Sequence, residues 1–208
     1  MEIKRLQLGN FGVNCYIVTI KENTFIIDPG AEPEAIIRQM DSIGKRPSFI
    51  LNTHGHYDHI GAIPHLLKEY DIPFYIDKAE KDIVENPDRN MSSFFSANGL
   101  SLNTYKIIDE RFKSELKDLG IVLLNTPGHT PGSISILAQD DSIFTGDLLF
   151  KGSVGRTDLP GGDISVIKES LKKIKGLNKR IQVMPGHGPV SSIGSEIEGN
   201  PYFRDDFL

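Results

Sequence analysis

The chain has 208 residues, 38% of them hydrophobic and 25% charged, and its formal net charge at pH 7 is −5. This length is enough for one well-packed domain without disulfides or oligomerisation, so we expect a single domain over residues 1–208. The acidic balance argues against a nucleic-acid-binding protein, which carries a basic patch, and no apolar run is as long as a membrane span. We therefore expect neither nucleic acid nor a membrane as a partner; the sequence leaves the oligomeric state open.

Nine short apolar runs predict β-strands, and three segments with helical periodicity predict α-helices. The predicted strands are residues 3–8, 15–20, 24–27, 48–51, 73–76, 121–124, 133–137, 142–145 and 181–184. The predicted helices are residues 33–43, 60–70 and 164–175. Alternating strands and helices are typical of an α/β or mixed α+β architecture.

The first residues of the chain indicate where the protein is located in the cell. Residues 1–5 are polar and charged and lack the apolar core of a signal peptide, so we expect a cytoplasmic protein. The single cysteine, Cys15, lies in an apolar run and is expected to be a buried strand thiol.

The helix predicted over residues 164–175 has the clearest boundaries. Asp163 is a favourable N-cap and Gly176 is a favourable stop. The apolar residues that recur at helical spacing, and that we expect to be buried, are Ile164, Ile167, Leu171 and Ile174.

Two features of the sequence have open interpretations. Residues 86–103 are polar and without periodicity around Phe94 and Phe95, which is typical of a functional loop and equally of a plain connector. Residues 25–30 and 142–147 both run from an apolar strand into an aspartate next to a glycine, and this similarity hints at an internal duplication.

The segment His54-Gly-His56-Tyr57-Asp58-His59 places four metal-binding side chains in six residues, directly after an apolar run. Imidazole nitrogens and carboxylate oxygens are the ligands that borderline divalent metals prefer. The segment therefore predicts a metal site.

Three further ligand-type side chains follow apolar strands in the same way, namely His129, Asp147 and His187. Loops at the carboxyl ends of strands can converge on one site, so these residues are candidates for the same centre. His65 lies off the apolar face of its predicted helix, and we expect it to be exposed.

The pattern Thr53-His54-x-His56-x-Asp58-His59, followed by His129, Asp147 and His187, resembles the ligand set of the metallo-β-lactamase superfamily over essentially the whole chain. The resemblance implies a four-layer αββα sandwich, in which two mixed sheets lie face to face with helices outside. It also implies two divalent metal ions, zinc first, with iron or manganese also compatible. The implied ligands are His54, His56 and His129 for one ion and Asp58, His59 and His187 for the other, with Asp147 bridging both.

Residues 150–163 and 199–203 are similar to those of small glyoxalase II-like thioesterases. This resemblance implies a small-molecule thioester substrate such as S-lactoylglutathione, cleaved by a metal-bridging hydroxide that Asp58 ligates and orients. Asp147 at the bridging position argues against the true β-lactamase branch that has a cysteine there. Asp28 is expected either to accept a hydrogen bond from a ligand imidazole or to cap a turn.

The chain departs from full-length glyoxalase II at two points. Only 21 residues follow His187, too few for that family's C-terminal glutathione-binding domain. Arg156 matches a basic glutathione-contacting position, but Asp158 stands where the family has tyrosine, and we expect Asp158 to pair with Arg156 or with a loop that carries metal ligands. The expected substrate contacts are Arg156, Phe94 and Phe95.

Three other functions remain open from the sequence. Residues 155–158 also resemble the persulfide dioxygenases, which would use a single iron and a subset of the same ligands. A tRNA-processing nuclease shares the histidine motif, but the acidic composition argues against it. A non-catalytic binding module would not need all seven ligands.

Overall fold

The computed structural model describes all 208 residues and divides into two compact units, Met1–Ile108 and Asp109–Leu208. Each unit carries one mixed β-sheet with helices, in agreement with the predicted fold class. The single domain expected over residues 1–208 stays a prediction. No helix is both long and apolar enough to cross a membrane.

The sheet of the first unit has six strands in the order of the chain. The first strand pairs antiparallel with the second and the second with the third, and each strand from the third to the sixth pairs in parallel with the next. These are β1 (Glu2–Leu8), β2 (Val13–Ile20), β3 (Asn23–Ile27), β4 (Ile50–Leu51), β5 (Phe74–Ile76) and β6 (Lys106–Ile107). The helices are α1 (Pro33–Ile43), α2 (Tyr57–Ile60), α3 (Ile63–Tyr70) and α4 (Lys81–Glu85), with 3-10 turns at Lys78–Glu80 and Ser92–Phe94.

The second unit has a five-stranded sheet in the order β13-β12-β9-β8-β7 and a separate hairpin, β10-β11. The strands are β7 (Ile121–Asn125), β8 (Ile134–Ala138), β9 (Ser142–Gly146), β10 (Leu149–Phe150), β11 (Ser153–Val154), β12 (Gln182–Pro185) and β13 (Ser191–Ser192). The helices are α5 (Glu110–Asp118), α6 (Ile164–Lys175) and α7 (Ile193–Gly199), followed by a 3-10 turn at Pro201–Phe203.

The two units share a local topology. In the first, β1, β2 and β3 are antiparallel neighbours and β4 joins β3 in parallel after α1. In the second, β7, β8 and β9 are antiparallel neighbours and β12 joins β9 in parallel after α6. Asp28 and Asp147 each follow the strand at which the parallel pairing begins. This shared order supports the internal duplication that the sequence hints at.

Apolar helix faces pack into the core of each unit, as the periodicity predicts. Ile36 and Met40 of α1 are fully buried, and so are Leu171 and Ile174 of α6. Ile164 is the exception, because its side chain is 49% exposed. Side chains on a helix tilt toward its N-terminus, so the first helical residue projects beyond the helix end, and the prediction that it is buried was wrong.

The helix predicted over residues 60–70 is broken into α2 and α3. Pro64, in the first turn of α3, has no N–H to donate to a preceding turn. The N–H of Ala62 instead donates to the carbonyl oxygen of Pro29 at 3.0 Å. This hydrogen bond connects the residues that follow the histidine motif to the residues that follow β3.

The elements that the sequence prediction missed are short or strongly polar. Strands β6, β10, β11 and β13 have two residues each, too few for a periodic signal. Helix α5 is polar apart from the buried Phe112 and Leu116, and the Asp109 side chain caps it by accepting from the Phe112 N–H at 2.8 Å. His65 is exposed and Cys15 is fully buried, as predicted.

Candidate metal centre

The histidine motif leaves the sheet of the first unit beside Asp28. Strands β3 and β4 are parallel, and Ile27 is paired with Leu51, so the residues that follow them share one sheet edge. His54, His56 and His59 are buried there. Asp58 is partly buried, with its side chain 23% exposed.

Asp28 accepts three hydrogen bonds from the motif. They come from the Thr53 N–H at 2.8 Å, the Thr53 hydroxyl at 2.6 Å and Nδ1 of His59 at 3.0 Å. A carboxylate at Nδ1 fixes the tautomer in which Nδ1 carries the proton and Nε2 keeps its lone pair. The imidazole of His59 is thereby prepared to bind a metal through Nε2.

The same network sets the tautomer of His54. Because the Thr53 hydroxyl donates its hydrogen to Asp28, it accepts from Nδ1 of His54, 3.1 Å away. Nε2 of His54 then also keeps its lone pair. Asp28, His54 and His59 offer ligand-type atoms that lie within 4.8 Å of one another.

His56 and Asp58 complete the group in this unit. The His54 and His56 rings lie 4.9 Å apart between centroids, and Oδ2 of Asp58 lies 3.8 Å from Nε2 of His59. That distance is longer than a hydrogen bond and leaves space for a cation bound by both atoms. The Gly55 N–H donates to the buried Glu80 at 2.8 Å, which fixes the backbone between the two histidines.

The second unit gathers His129, Asp147 and His187 at its own sheet edge. Strands β9 and β12 are parallel, and Gly146 is paired with Pro185, so Asp147 and His187 leave the sheet side by side. One carboxylate oxygen of Asp147 lies 3.7 Å from Nε2 of His187, and the other lies 3.6 Å from Nε2 of His129. Each oxygen therefore faces a different imidazole.

A backbone carbonyl group orients the imidazole ring of His129. Its Nδ1 donates to the Arg156 carbonyl oxygen at 2.8 Å, so Nε2 keeps its lone pair toward Asp147. Gly155 permits this approach, because a Cβ there would lie 1.7 Å from the Asp147 carbonyl oxygen and 3.2 Å from Nδ1 of His129. Any larger residue at position 155 would displace the backbone of Asp147 and the side chain of His129.

The donor chemistry fits divalent metal ions in both units. The side chains are imidazoles and carboxylates, most of them buried, and Nδ1 of His54, His59 and His129 each faces a partner that leaves Nε2 as the ligand atom. Zinc, iron and manganese all accept such nitrogen and oxygen ligands. These residues can bind divalent metal ions.

The residues predicted to contact substrate have different surroundings. Arg156 and Asp158 are exposed and form a bidentate pair with distances of 2.7 and 2.8 Å. The hydrogen bond from Arg156 lowers the pKa of Asp158 to about 2. Phe94 is 71% exposed and Phe95 is 55% exposed.

Sequence reasoning missed two kinds of contributor. Thr53 precedes the first histidine in the motif, but its hydroxyl bridge between Asp28 and His54 depends on the fold. Glu80 lies 25 residues beyond Gly55 in the chain, and no pattern in the sequence links the two.

Solved structures of similar proteins share this fold. The crystal structure of the B3 metallo-beta-lactamase BLEG-1 is 33% identical, with a TM-score of 0.87 over 97% of this chain and 99% of that one. A di-iron-bound form of TTHA1623 is 33% identical, with a TM-score of 0.85 over 96% and 99%. ETHE1 from Myxococcus xanthus is 25% identical, with a TM-score of 0.75 over 100% and 88%.

Curated relatives and a family model extend the likeness. The probable metallo-hydrolase YqgX of Bacillus subtilis is 33% identical over 98% of both chains. The hydroxyacylglutathione hydrolase GloC of Haemophilus influenzae is 33% identical over 98% of this chain and 99% of its own. The family model described as the metallo-beta-lactamase superfamily matches residues 8–187. This chain therefore belongs to the metallo-β-lactamase superfamily.

Proposed function

We propose that this chain is a binuclear metal-dependent hydrolase that cleaves small-molecule thioesters of the S-acylglutathione type or related ones. The observation that carries the proposal is the network in which Asp28, directly and through Thr53, prepares Nε2 of His59 and His54 for metal binding. The 33% identity to GloC, which is named a hydroxyacylglutathione hydrolase, supports the choice of thioester chemistry.

We assign the ligands as the superfamily resemblance implies. One ion would be held by His54, His56 and His129, and the other by Asp58, His59 and His187. Asp147 would serve both ions, a role that suits a carboxylate whose two oxygens face different imidazoles. The ions are zinc in this proposal; the di-iron form of TTHA1623 makes iron the first alternative and manganese the second.

When bound, two adjacent divalent ions lower the pKa of a water and polarise a carbonyl group. Asp58 would orient the attacking water, because it is the only carboxylate in the motif and its side chain is 23% exposed. Asp28 and the Arg156 carbonyl hold the imidazoles in fixed orientations. The overall reaction forms a C–O bond, breaks the C–S bond, and releases a carboxylic acid and a thiol.

The absence of a dedicated general acid fits a thiol leaving group. Five of the six histidines are assigned as ligands, and the sixth, His65, is exposed on α3. A thiol has a pKa of about 8.5, so a thiolate leaves without the proton that an amine leaving group requires. A thioester therefore suits the side chains that this chain offers better than an amide does.

The second candidate is a mononuclear iron persulfide dioxygenase. The sequence similarity of residues 155–158 to that family favours it, and the ETHE1 structure covers the whole chain. This candidate differs from the hydrolase in both the number of metals and the need for oxygen.

The test is a side-by-side assay on protein loaded with defined metals. We expect hydrolysis of S-lactoylglutathione or a simpler thioester and no oxygen uptake with glutathione persulfide. Oxygen uptake without thioester hydrolysis would select the dioxygenase. A chromogenic β-lactam is a third substrate in this assay because of the likeness to BLEG-1, and turnover of the β-lactam alone would contradict the proposal.

A further inference from the structure

A cavity of about 520 Å³ lies in the first unit next to the histidine motif, and Tyr57 and Asp58 line it. The rest of the lining comes from the β1–β2 turn, from residues 30–33 before and at the start of α1, and from Gly61 and Phe95. Small-molecule pockets have volumes of roughly 300–1,000 Å³, so the cavity is large enough for part of a substrate. Asp58 connects the cavity to the proposed chemistry.

One side of the cavity is aromatic. The Phe11 and Phe95 rings meet edge to face with centroids 4.8 Å apart, and Tyr57 stacks on Phe95 at 6.2 Å. Phe11 is nevertheless 48% exposed and Phe95 is 55% exposed. Large apolar side chains that cluster and still face solvent are typical of a binding surface.

Hydrogen bonds hold this aromatic group in place. The Tyr57 N–H donates to the Asn90 carbonyl oxygen at 2.8 Å, and the buried Asn90 side chain donates to the Leu100 carbonyl oxygen at 2.8 Å. The Gly9 N–H donates to Glu32 at 2.7 Å, which connects the β1–β2 turn to the start of α1. The cavity is therefore formed before any ligand binds, which reduces the entropic cost of binding.

The charges of the cavity have one sign. Its lining contains the carboxylates of Glu32 and Asp58 and no lysine, arginine or histidine. The carboxylate of Glu32 would repel a further carboxylate brought into the cavity, since Asp58 is assigned to a metal ion, whereas an uncharged apolar group would pack against the aromatic rings.

We propose that this cavity binds an uncharged apolar group of the thioester substrate, aromatic or branched, and discriminates against groups that carry a carboxylate. The proposal rests on the proposed thioesterase function and names its substrate class. Phe95, Phe11 and Tyr57 are the specificity-determining residues. The group belongs either to the acyl or to the thiol side of the thioester, and the experiment separates the two.

The experiment uses two series of thioesters. In the acyl series, acetyl, phenylacetyl and 4-carboxyphenylacetyl groups are joined to N-acetylcysteamine. In the thiol series, the acetyl group is joined to ethanethiol, 2-phenylethanethiol or its 4-carboxyphenyl analogue. We expect the phenyl group to raise kcat/KM about tenfold or more over its smaller counterpart in one series, and the added carboxylate to remove that gain.

A phenylalanine outside the cavity provides the matched variant. Phe95→Ala is expected to remove the gain, because Phe95 lines the cavity, whereas Phe207→Ala is expected to keep it, because Phe207 lies outside the lining and packs against Tyr202. Equal kcat/KM for the phenyl and smaller compounds in both series would overturn the proposal. An equal loss in the two variants would overturn it as well.

A binding measurement separates this proposal from the proposed function. If no thioester is hydrolysed at all, the thioesterase function fails, and the cavity is then tested with the non-hydrolysable thioether ethyl 2-phenylethyl sulfide and its 4-carboxy analogue by ligand-observed NMR. We expect the phenyl compound to bind the unmodified protein. The 4-carboxy analogue should not bind it, and the phenyl compound should not bind Phe95→Ala. Absence of binding by the phenyl compound would overturn the proposal.

Discussion

Oδ2 of Asp28 accepts a hydrogen bond from Nδ1 of His59 at 3.0 Å, and both side chains are almost fully buried. Asp28 has a left-handed backbone with φ of 50°, which places it at the turn where β3 ends. The same carboxylate accepts from Thr53, whose hydroxyl in turn faces His54. One buried carboxylate therefore sets the tautomers of two histidines.

The first prediction concerns this carboxylate. Asp28→Asn keeps the size of the side chain and its tolerance for a left-handed backbone, but it replaces one acceptor oxygen with a donor that conflicts with His59 or Thr53. We expect metal affinity to fall by roughly 10- to 100-fold, measured by competition with a chelator. Asp158→Asn, at an exposed aspartate paired with Arg156, is the control and should leave metal affinity unchanged. Equal affinities for all three proteins would contradict the role of Asp28.

The second prediction concerns Asp147, the assigned bridge. We expect Asp147→Ala to release both metal ions more readily and to lose more activity than the roughly 100-fold that loss of an outer partner costs. The readouts are metal content after dialysis and the rate of S-lactoylglutathione hydrolysis. If activity survives this change, the assignment of Asp147 as the bridge is wrong.

The third prediction concerns Cys15, the single cysteine of the chain. Burial raises the pKa of its thiol well above the ordinary value, so the reactive thiolate is suppressed in the folded protein. We expect no reaction with Ellman's reagent under native conditions and one thiol per chain in guanidinium chloride. Rapid labelling of the native protein at pH 8 would show that the strand is open.

The fourth prediction concerns the pH dependence of stability at alkaline pH. Burial, together with the hydrogen bond to Glu85, raises the pKa of Tyr105 from 10.0 to about 12 in the folded protein. The stabilisation is complete below pH 10 and is lost as the pH rises to 12, because the unfolded chain loses this proton first. We expect the advantage in free energy of unfolding over Tyr105→Phe to shrink across this interval in urea titrations. A constant difference from pH 9 to 12 would contradict the shifted pKa.

The ligand-type side chains could be predicted as a candidate site because each follows an apolar strand, whereas the supporting contacts that only the fold brings together could not. The segment from His54 to His59 identifies its own ligand-type residues, and the strands that precede it give its position in the sheet. The contact of Glu80 with Gly55 depends on where α4 and the turn before it pack, and residue spacing carries no such information. The cavity beside Asp58 is likewise formed by segments distant in sequence.

Most strands and the longest helices follow from apolar periodicity, because burial of one face is what that pattern reports. Three of the four residues of α2, namely Tyr57, Asp58 and His59, belong to the metal motif and have no apolar stripe, so the predicted helix began only at Ile60. The break after it depends on the contact between Ala62 and Pro29, which joins two segments distant in the chain. Local pattern therefore predicted the framework, while long-range contacts determine the site.

The number of metal ions per chain tests the central claim most directly. Protein purified without chelators and reconstituted with zinc or iron should contain close to two ions per chain by elemental analysis, and Asp147→Ala should contain fewer. A stable content of one iron per chain, unchanged by excess metal, would contradict the binuclear hydrolase and favour the dioxygenase.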